Sequence, residues 1–326
     1  MQRHGLNGHA ITELITDDYY MDRPVDINFL DCVLLWKLMG QGKMDKNLVT
    51  GSDLVDGGRA IRVFLEYDQV NGGTYGNTTL LNLAKKEILN AARFRWAGYH
   101  SVAVIDLDDQ VQNEGKAALV DLTSTKLNNA QKTIRDYMGS AVYASAADGN
   151  AILGLGNMFN TTKSIAYGEI KEDDMADWKA NVITTAEAIS FKVLQSIRRA
   201  ASVGQNKSDK PNLYITTELL KDGYERTLQT QARYSDVDLV NAGFENVLFG
   251  GSPVVPDDKQ SSGICDGLNL NYLAIKTHRD YNFTKPVWEH DIQSPDTLVA
   301  NIRWIGQMVC KNRKAHCRHT NLSDPA

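Results

Sequence analysis

Cysteine is scarce in this chain. Cys32, Cys265, Cys310 and Cys317 are scattered over 326 residues and give no disulfide framework, so free thiols in a reducing cytoplasm are the simpler reading. There is no basic excess either. The net charge is −5 and the pI about 5.8, so binding a polyanion would require a locally positive face. The opening "MQRHGLNGHAITELITDDYY" has no apolar core and is not a signal peptide. "FLDCVLLW" is interrupted by Asp31 and is too short to span a bilayer. No period of the kind that builds solenoids repeats, and no low-complexity tract is present. A soluble protein made in the cytoplasm, without a membrane, is expected.

What is present is apolar content, 42%, which suffices for a sizeable core. Residues 1–55 have little periodicity. Only "INFLDCVLLWKLMG" could form a short helix or strand, and an arm lying on another surface suits the rest. "GGRAIRVFLEYD" alternates, with Ile61, Val63, Leu65 and Tyr67 on one side and Arg62, Phe64 and Glu66 on the other, as in a half-buried strand. After a glycine-dense turn region around Gly72, Gly73 and Gly76, "ARFRWAGYHSVAVID" reads as a second strand. The two make a long hairpin that cannot bury both faces alone and needs a partner chain or sheet.

From Gln112 to about Ala144 the period changes. Leu119, Leu122, Leu127, Ala130, Ile134, Tyr137 and Met138 recur at three- and four-residue steps, which predicts a long amphipathic helix. Residues 172–203 are expected to be helical too, with acids in the first turn and Arg198-Arg199 near the end. "NLYITTELLKDGYERTL" reads as a strand and a helix capped by Thr216 or Thr217. "GFENVLFGGSPVVPD", "GLNLNYLAIKTH" and "TLVANIRWIGQMVCKNRKAHCRH" are strand-rich.

Three motifs suggest chemistry and are weighed against plainer roles. "SVAVIDLDDQ" delivers Asp106, Asp108 and Asp109 at a strand end, as in magnesium-dependent phosphatases of the haloacid dehalogenase type. Asp109, however, stands where such a site needs Thr or Val, and the strand follows a hairpin instead of opening an alternating α/β unit. The acids fit better as the start of a helix, beside its unsatisfied N–H groups. "GLGNMFN" has a lone G-x-G after a loop, which makes it a turn before a nucleotide cradle. Cys310, His316, Cys317 and His319 hold a zinc inventory at no common structural zinc spacing. His278 and His290 belong to no recognisable catalytic pattern. No catalytic residue, cofactor or metal is expected.

The order of elements carries more information than any of these motifs. "GFENVLFGGSPVVPD", "LYITTELLKDGYERTLQ" and "ANIRWIGQMVCKNRKAH" resemble segments of the major capsid proteins of tailed bacteriophages, in that family's order, and the resemblance spans about residues 56–320. It implies an α+β fold with an N-arm (1–55), an extended hairpin loop (56–105), a spine helix of the peripheral domain (106–145), an axial domain (146–275), and peripheral strands returning to the axial domain (276–326).

The function implied is that of an icosahedral head-shell subunit. It self-assembles as pentamers and hexamers, through a procapsid, into the virion shell around double-stranded DNA. No sequence-specific contact to that DNA is implied, and assembly takes place in the host cytoplasm. A separate scaffolding protein and a portal are implied as partners, and the family also admits a decoration protein. The hairpin supplies the interface candidates Tyr75, Lys85, Lys86, Arg93 and Trp96. Some relatives crosslink a hairpin Lys, but no matching Asn or Glu is identified here, so crosslinking is not expected. Two alternatives stand beside this reading. Encapsulins, shells that hold cargo enzymes, share the fold. A magnesium-dependent phosphatase would use Asp106 and Asp108.

Overall fold

The structure is a computed structural model. It describes residues 32–39, 54–74, 76, 80, 83–112, 122–146, 149–204, 206, 209–228, 247–284, 287–290 and 296–325. Most of the expected arm, Tyr75 and residues 113–121 at the start of the expected long helix lie outside these residues.

Two sheets organise the molecule. The first is built on β13, Thr297–Cys310, a strand of 14 residues. Along one edge it pairs antiparallel with β11 (Leu273–His278) and then with β12 (Trp288–His290). Along the other edge it pairs antiparallel with β4 (Ala97–Asp106) from Thr297↔Asp106 to Gly306↔Ala97. The short β1 (Leu54–Val55) adds to β11. The helix α3 (Leu122–Tyr143) packs on β4 and β13 through Ala130, Ile134, Met138 and Val142, which follow one another at four-residue steps and are buried.

The second sheet has six strands in the order β5 (Asn181–Ile183), β14 (Cys317–His319), β10 (Cys265–Leu268), β7 (Leu213–Thr216), β9 (Ser252–Pro256), β8 (Val247–Phe249). One face carries α5 (Phe191–Ala200) and α6 (Glu218–Thr227), and Tyr214, Val254, Cys265 and Cys317 join their apolar cluster. The opposite face sends Leu213, Ile215, Val255 and Leu268 into the core shared with the first sheet. Burial on both faces explains why "LYIT" is a continuous apolar run and not an alternating one. After β13 the chain returns to this second sheet as β14.

The first strand of the expected hairpin is β2 (Ile61–Glu66), and its alternation is as read. "INFLDCVLLWKLMG" yields a helix, α1 (Val33–Leu38), docked on α3 and β11. Thr217 is the residue that precedes α6.

Three expectations need correction. The return limb of the hairpin is not one strand. β3 (Leu89–Phe94) pairs with β2, but after Arg95-Trp96 the chain leaves it, and β4 belongs to the first sheet. Helix 172–203 is confined to α5. Before it the chain makes a short 3₁₀ turn at Ala176–Trp178 and the strand β5, which pairs in parallel with β14. Tertiary partners outweigh local propensity there. Trp178 is buried with its Nε1 donating to Tyr167 O (2.9 Å), and Asn181 Nδ2 donates to Lys314 O (2.8 Å). Finally, Tyr137 is 60% exposed, because the four-residue steps of α3 place Ile134 and Met138 inward and leave it outside the buried stripe.

Candidate assembly surface

The helix α2 (Leu107–Gln112) begins where β4 ends, with Asp108 and Asp109 in its first turn. Asp106 accepts a hydrogen bond from Thr297 Oγ1 (3.0 Å) on the neighbouring strand. Asp109 is paired with the Lys126 ammonium (2.9 Å), which also donates to Val104 O (2.9 Å). These acids therefore clasp β4, β13 and α3 together at the joint. Among the described residues no group of three His, Cys, Asp or Glu side chains comes together that could hold a metal.

The Cys/His group of β13 and β14 is buried, and the Nε2 atoms of His316 and His319 have no hydrogen-bond partner among the described residues. His316 Nδ1 accepts from Asn269 N (3.2 Å), and burial pushes the His316 pKa down to about 3. Burial holds the Cys310 and Cys317 thiols up at about 12, so both are protonated. The two glycines of the G-x-G motif serve close packing. A Cβ on Gly154 would collide with the carbonyl oxygens of Ala141 and Ala144, where α4 (Leu155–Met158) meets the end of α3.

The hairpin is different. Its base is fixed: Leu65, Ala92 and Phe94 are buried, and Phe94 meets Tyr167 edge to face at 5.4 Å between centroids. A tight turn docks against it. Arg93 N donates to Gly168 O (2.8 Å), and Gly168 and Glu169 both have positive φ, 62° and 64°. The left-handed conformation is unfavourable for Glu169. It places the carboxylate 3.3 Å from Arg95 Nε and 3.9 Å from Arg93 Nη1.

Opposite this packed face the hairpin is uncovered among the described residues. On its outer face Phe64 is 77% exposed and Leu89 65%; further out Leu83 is 88% exposed. Register places Phe64 opposite Ala91, and Glu66 opposite Leu89, so Phe64 and Leu89 are diagonal neighbours on one face. The same register sets Arg62 directly opposite Arg93, a like-charge pair that costs stability unless a carboxylate approaches. The two limbs are tied near the tip by Lys86 to Asp68 (2.8 Å) and by Asn71 Nδ2 to Ala84 O (2.7 Å).

Of the sequence-based candidates, Lys85 is exposed, Lys86 is held by Asp68, and Arg93 is shared with Glu169. Trp96 is half-buried, donates to Gly58 O (2.8 Å) and packs against His278. Tyr75 lies outside the described residues. Phe64, Leu83 and Leu89, apolar and exposed, were not among the candidates. Only the fact that Phe64 falls on the polar side of an alternating strand could have pointed to the first of them.

An extended hairpin on a two-sheet body with a long helix has a counterpart among known structures. A chain of the cyanophage A-1(L) capsid asymmetric unit matches with a TM-score of 0.66 at 16% identity, covering 94% of this chain and 97% of that one. The chain has the capsid-protein fold. The capsid of a native GTA particle shares it (TM-score 0.62, 9% identity, 99% of this chain and 100% of that chain). So does the holo-SrpI encapsulin of Synechococcus elongatus PCC 7942 (TM-score 0.60, 10% identity, 99% and 98%). No family model matches the sequence, and no curated protein does. In the capsid fold seen here, no helix among the described residues is long and apolar enough to cross a membrane.

Proposed function

We propose that the chain is the subunit of a closed protein shell, an icosahedral capsid of pentamers and hexamers that encloses double-stranded DNA in a virion. The observation that carries this reading is the hairpin. Phe64, Leu83 and Leu89 are exposed on an element without its own core, in a fold whose full-length counterparts are chains of capsids and of an encapsulin. Large apolar side chains presented in this way act as anchors for a partner surface, and here the partner is a second copy of the chain. Heterologous contacts of this kind close into rings.

In this reading the five-stranded sheet with α3 is the peripheral domain, and the six-stranded sheet with α5 and α6 is the axial domain. Residues 1–55 form an arm over neighbouring subunits. A separate scaffolding protein guides assembly in the host cytoplasm, and a portal completes the shell. The encapsulin match supports a second reading, a compartment for a cargo enzyme.

Negative-stain microscopy of the purified chain tests the class. Uniform hollow particles are expected, and a monomer under all conditions overturns the proposal. Nuclease-protected DNA inside native particles favours the virion, whereas a co-purifying enzyme in its place favours the compartment.

A further inference from the structure

A groove of about 370 Å³ runs along α5 beside the β8–β9 turn. Its lining combines three cations, Arg198, Arg199 and Lys210, with two aromatic rings, Phe191 and Phe249, and the amide of Gln195. None of the described residues that line it is acidic.

Both arginines stand in the last turn of a helix, where cations commonly serve the terminal carbonyls. Here those carbonyls are already served. Ile197 O accepts from Ala201 N (3.0 Å), and Arg198 O accepts from Ser202 Oγ (2.7 Å). Arg199 O accepts from Ser202 N (3.4 Å), and Ala200 O accepts from Asn181 Nδ2 (3.1 Å). The Arg198 guanidinium lies instead over Gly250, where a Cβ would overlap its Nη1 and where φ is +57°.

The aromatic end is equally set. Phe249 is buried and held edge to face by Tyr214 (5.5 Å), and Phe191 stands against Phe249 at 5.1 Å while remaining 47% exposed. Phe191, Gln195 and Arg198 follow one another along one face of α5, and Ser202 comes just after its end. The rise of an α-helix puts Phe191 and Arg198 about 10 Å apart along its axis.

We infer that this groove binds a nucleotide, with the phosphates on Arg198, Arg199 and Lys210 and the base against Phe191. Planar guanidinium groups match phosphate oxygens bidentately. An exposed ring on a fixed aromatic neighbour gives a base a stacking face. The groove falls within the volume range of small-molecule sites. Its length suits a ligand with an anionic end and a planar end, and a bare phosphate would leave the ring unused. The source is either a free nucleotide or a residue of a nucleic acid strand. The site does not depend on the shell reading.

Calorimetry on the purified full chain tests it, with ATP, adenosine, tripolyphosphate and a short single-stranded oligonucleotide as probes. ATP is expected to bind at least tenfold more tightly than adenosine or tripolyphosphate. Arg198→Ala with Arg199→Ala weakens ATP and tripolyphosphate tenfold or more, and Phe191→Ala weakens ATP while sparing tripolyphosphate. Oligonucleotide binding that ATP displaces identifies a strand as the source; ATP binding without it identifies the free nucleotide. Thermal melting checks that each variant is folded, and Lys210→Ala, on a different segment, replaces the double variant if that one is not. Tripolyphosphate binding as tight as ATP, or unchanged ATP affinity in folded variants, overturns the inference.

Discussion

Phe64→Thr separates folding from assembly. The ring is 77% exposed in the single chain, so removing it takes little from the folded subunit, and threonine keeps the preference for a strand. The expected change in subunit stability is within about 0.5 kcal/mol. In the proposed shell the same ring is covered by a neighbour. Complete burial of a phenylalanine side chain is worth about 1.5–3 kcal/mol, which puts the loss near 2 kcal/mol per subunit contact. That corresponds to a roughly 30-fold rise in the concentration at which shells form. Adding Leu89→Thr, on the same face, raises the threshold further.

The assay pairs sedimentation of assembled particles across a concentration series with urea unfolding of the unassembled subunit. Phe94→Ala is the contrast. That ring is fully buried within the chain, and its loss costs about 3–5 kcal/mol of folding stability. An unchanged assembly threshold in Phe64→Thr, with the fold intact, would refute the assignment of this face to a subunit contact.

Three further outcomes are expected. Arg313→Met should lower the unfolding free energy by about 3 kcal/mol or more in urea titration, because it strips donors from buried carbonyls; the guanidinium bonds Met158 O (2.7 Å), Trp178 O (2.7 Å) and Asn160 O (3.1 Å). Gly154→Ala should cost about 1–3 kcal/mol and lower the melting temperature, since the methyl group overlaps carbonyl oxygens at the end of α3. For His316, the folded pKa of about 3 lies below the ordinary 6.5, so the unfolded chain binds the extra proton. Its contribution is present above pH 6.5 and is lost as pH falls from 6.5 towards 3, at up to about 1.4 kcal/mol per unit. Unfolding free energies of His316→Asn between pH 7 and 4.5 should show a shallower acid slope than the parent.

The sequence was informative where structure is local. The alternation of β2, the four-residue steps of α3 and the strand-to-helix passage at Thr217 each depend on neighbours a few residues away. The misread segments depend on distant partners. The chain passes from β3 to β4 through Arg95-Trp96 without a glycine or proline, so nothing local marks the change from pairing with β2 to pairing with β13. The helix extended back to residue 172 failed for the same reason, because β5 takes its register from β14, more than a hundred residues later. The groove at α5 was invisible because "GFENVLFGGSPVVPD" read only as strand-rich. The role of Gly250, making room for Arg198, exists only once two distant segments meet.

The acids of "SVAVIDLDDQ" bear on how the hairpin works. Asp109 with Lys126 and Asp106 with Thr297 fix the far end of β4. The near end is fixed by Gln307, whose Nε2 donates to Arg95 O (2.9 Å) and whose Oε1 accepts from Leu153 N (2.9 Å). The strand leading out of the hairpin is thus held at both ends within the subunit. The hairpin's base is set by Phe94 and by the Gly168–Glu169 turn. None of these contacts draws on Phe64, Leu83 or Leu89. The body can therefore reach its folded state with the apolar face still uncovered, and the free energy of covering that face remains available to association. In the proposed shell the subunit folds before it meets its neighbours, so Phe64→Thr should change the assembly threshold while leaving the unfolding curve in place.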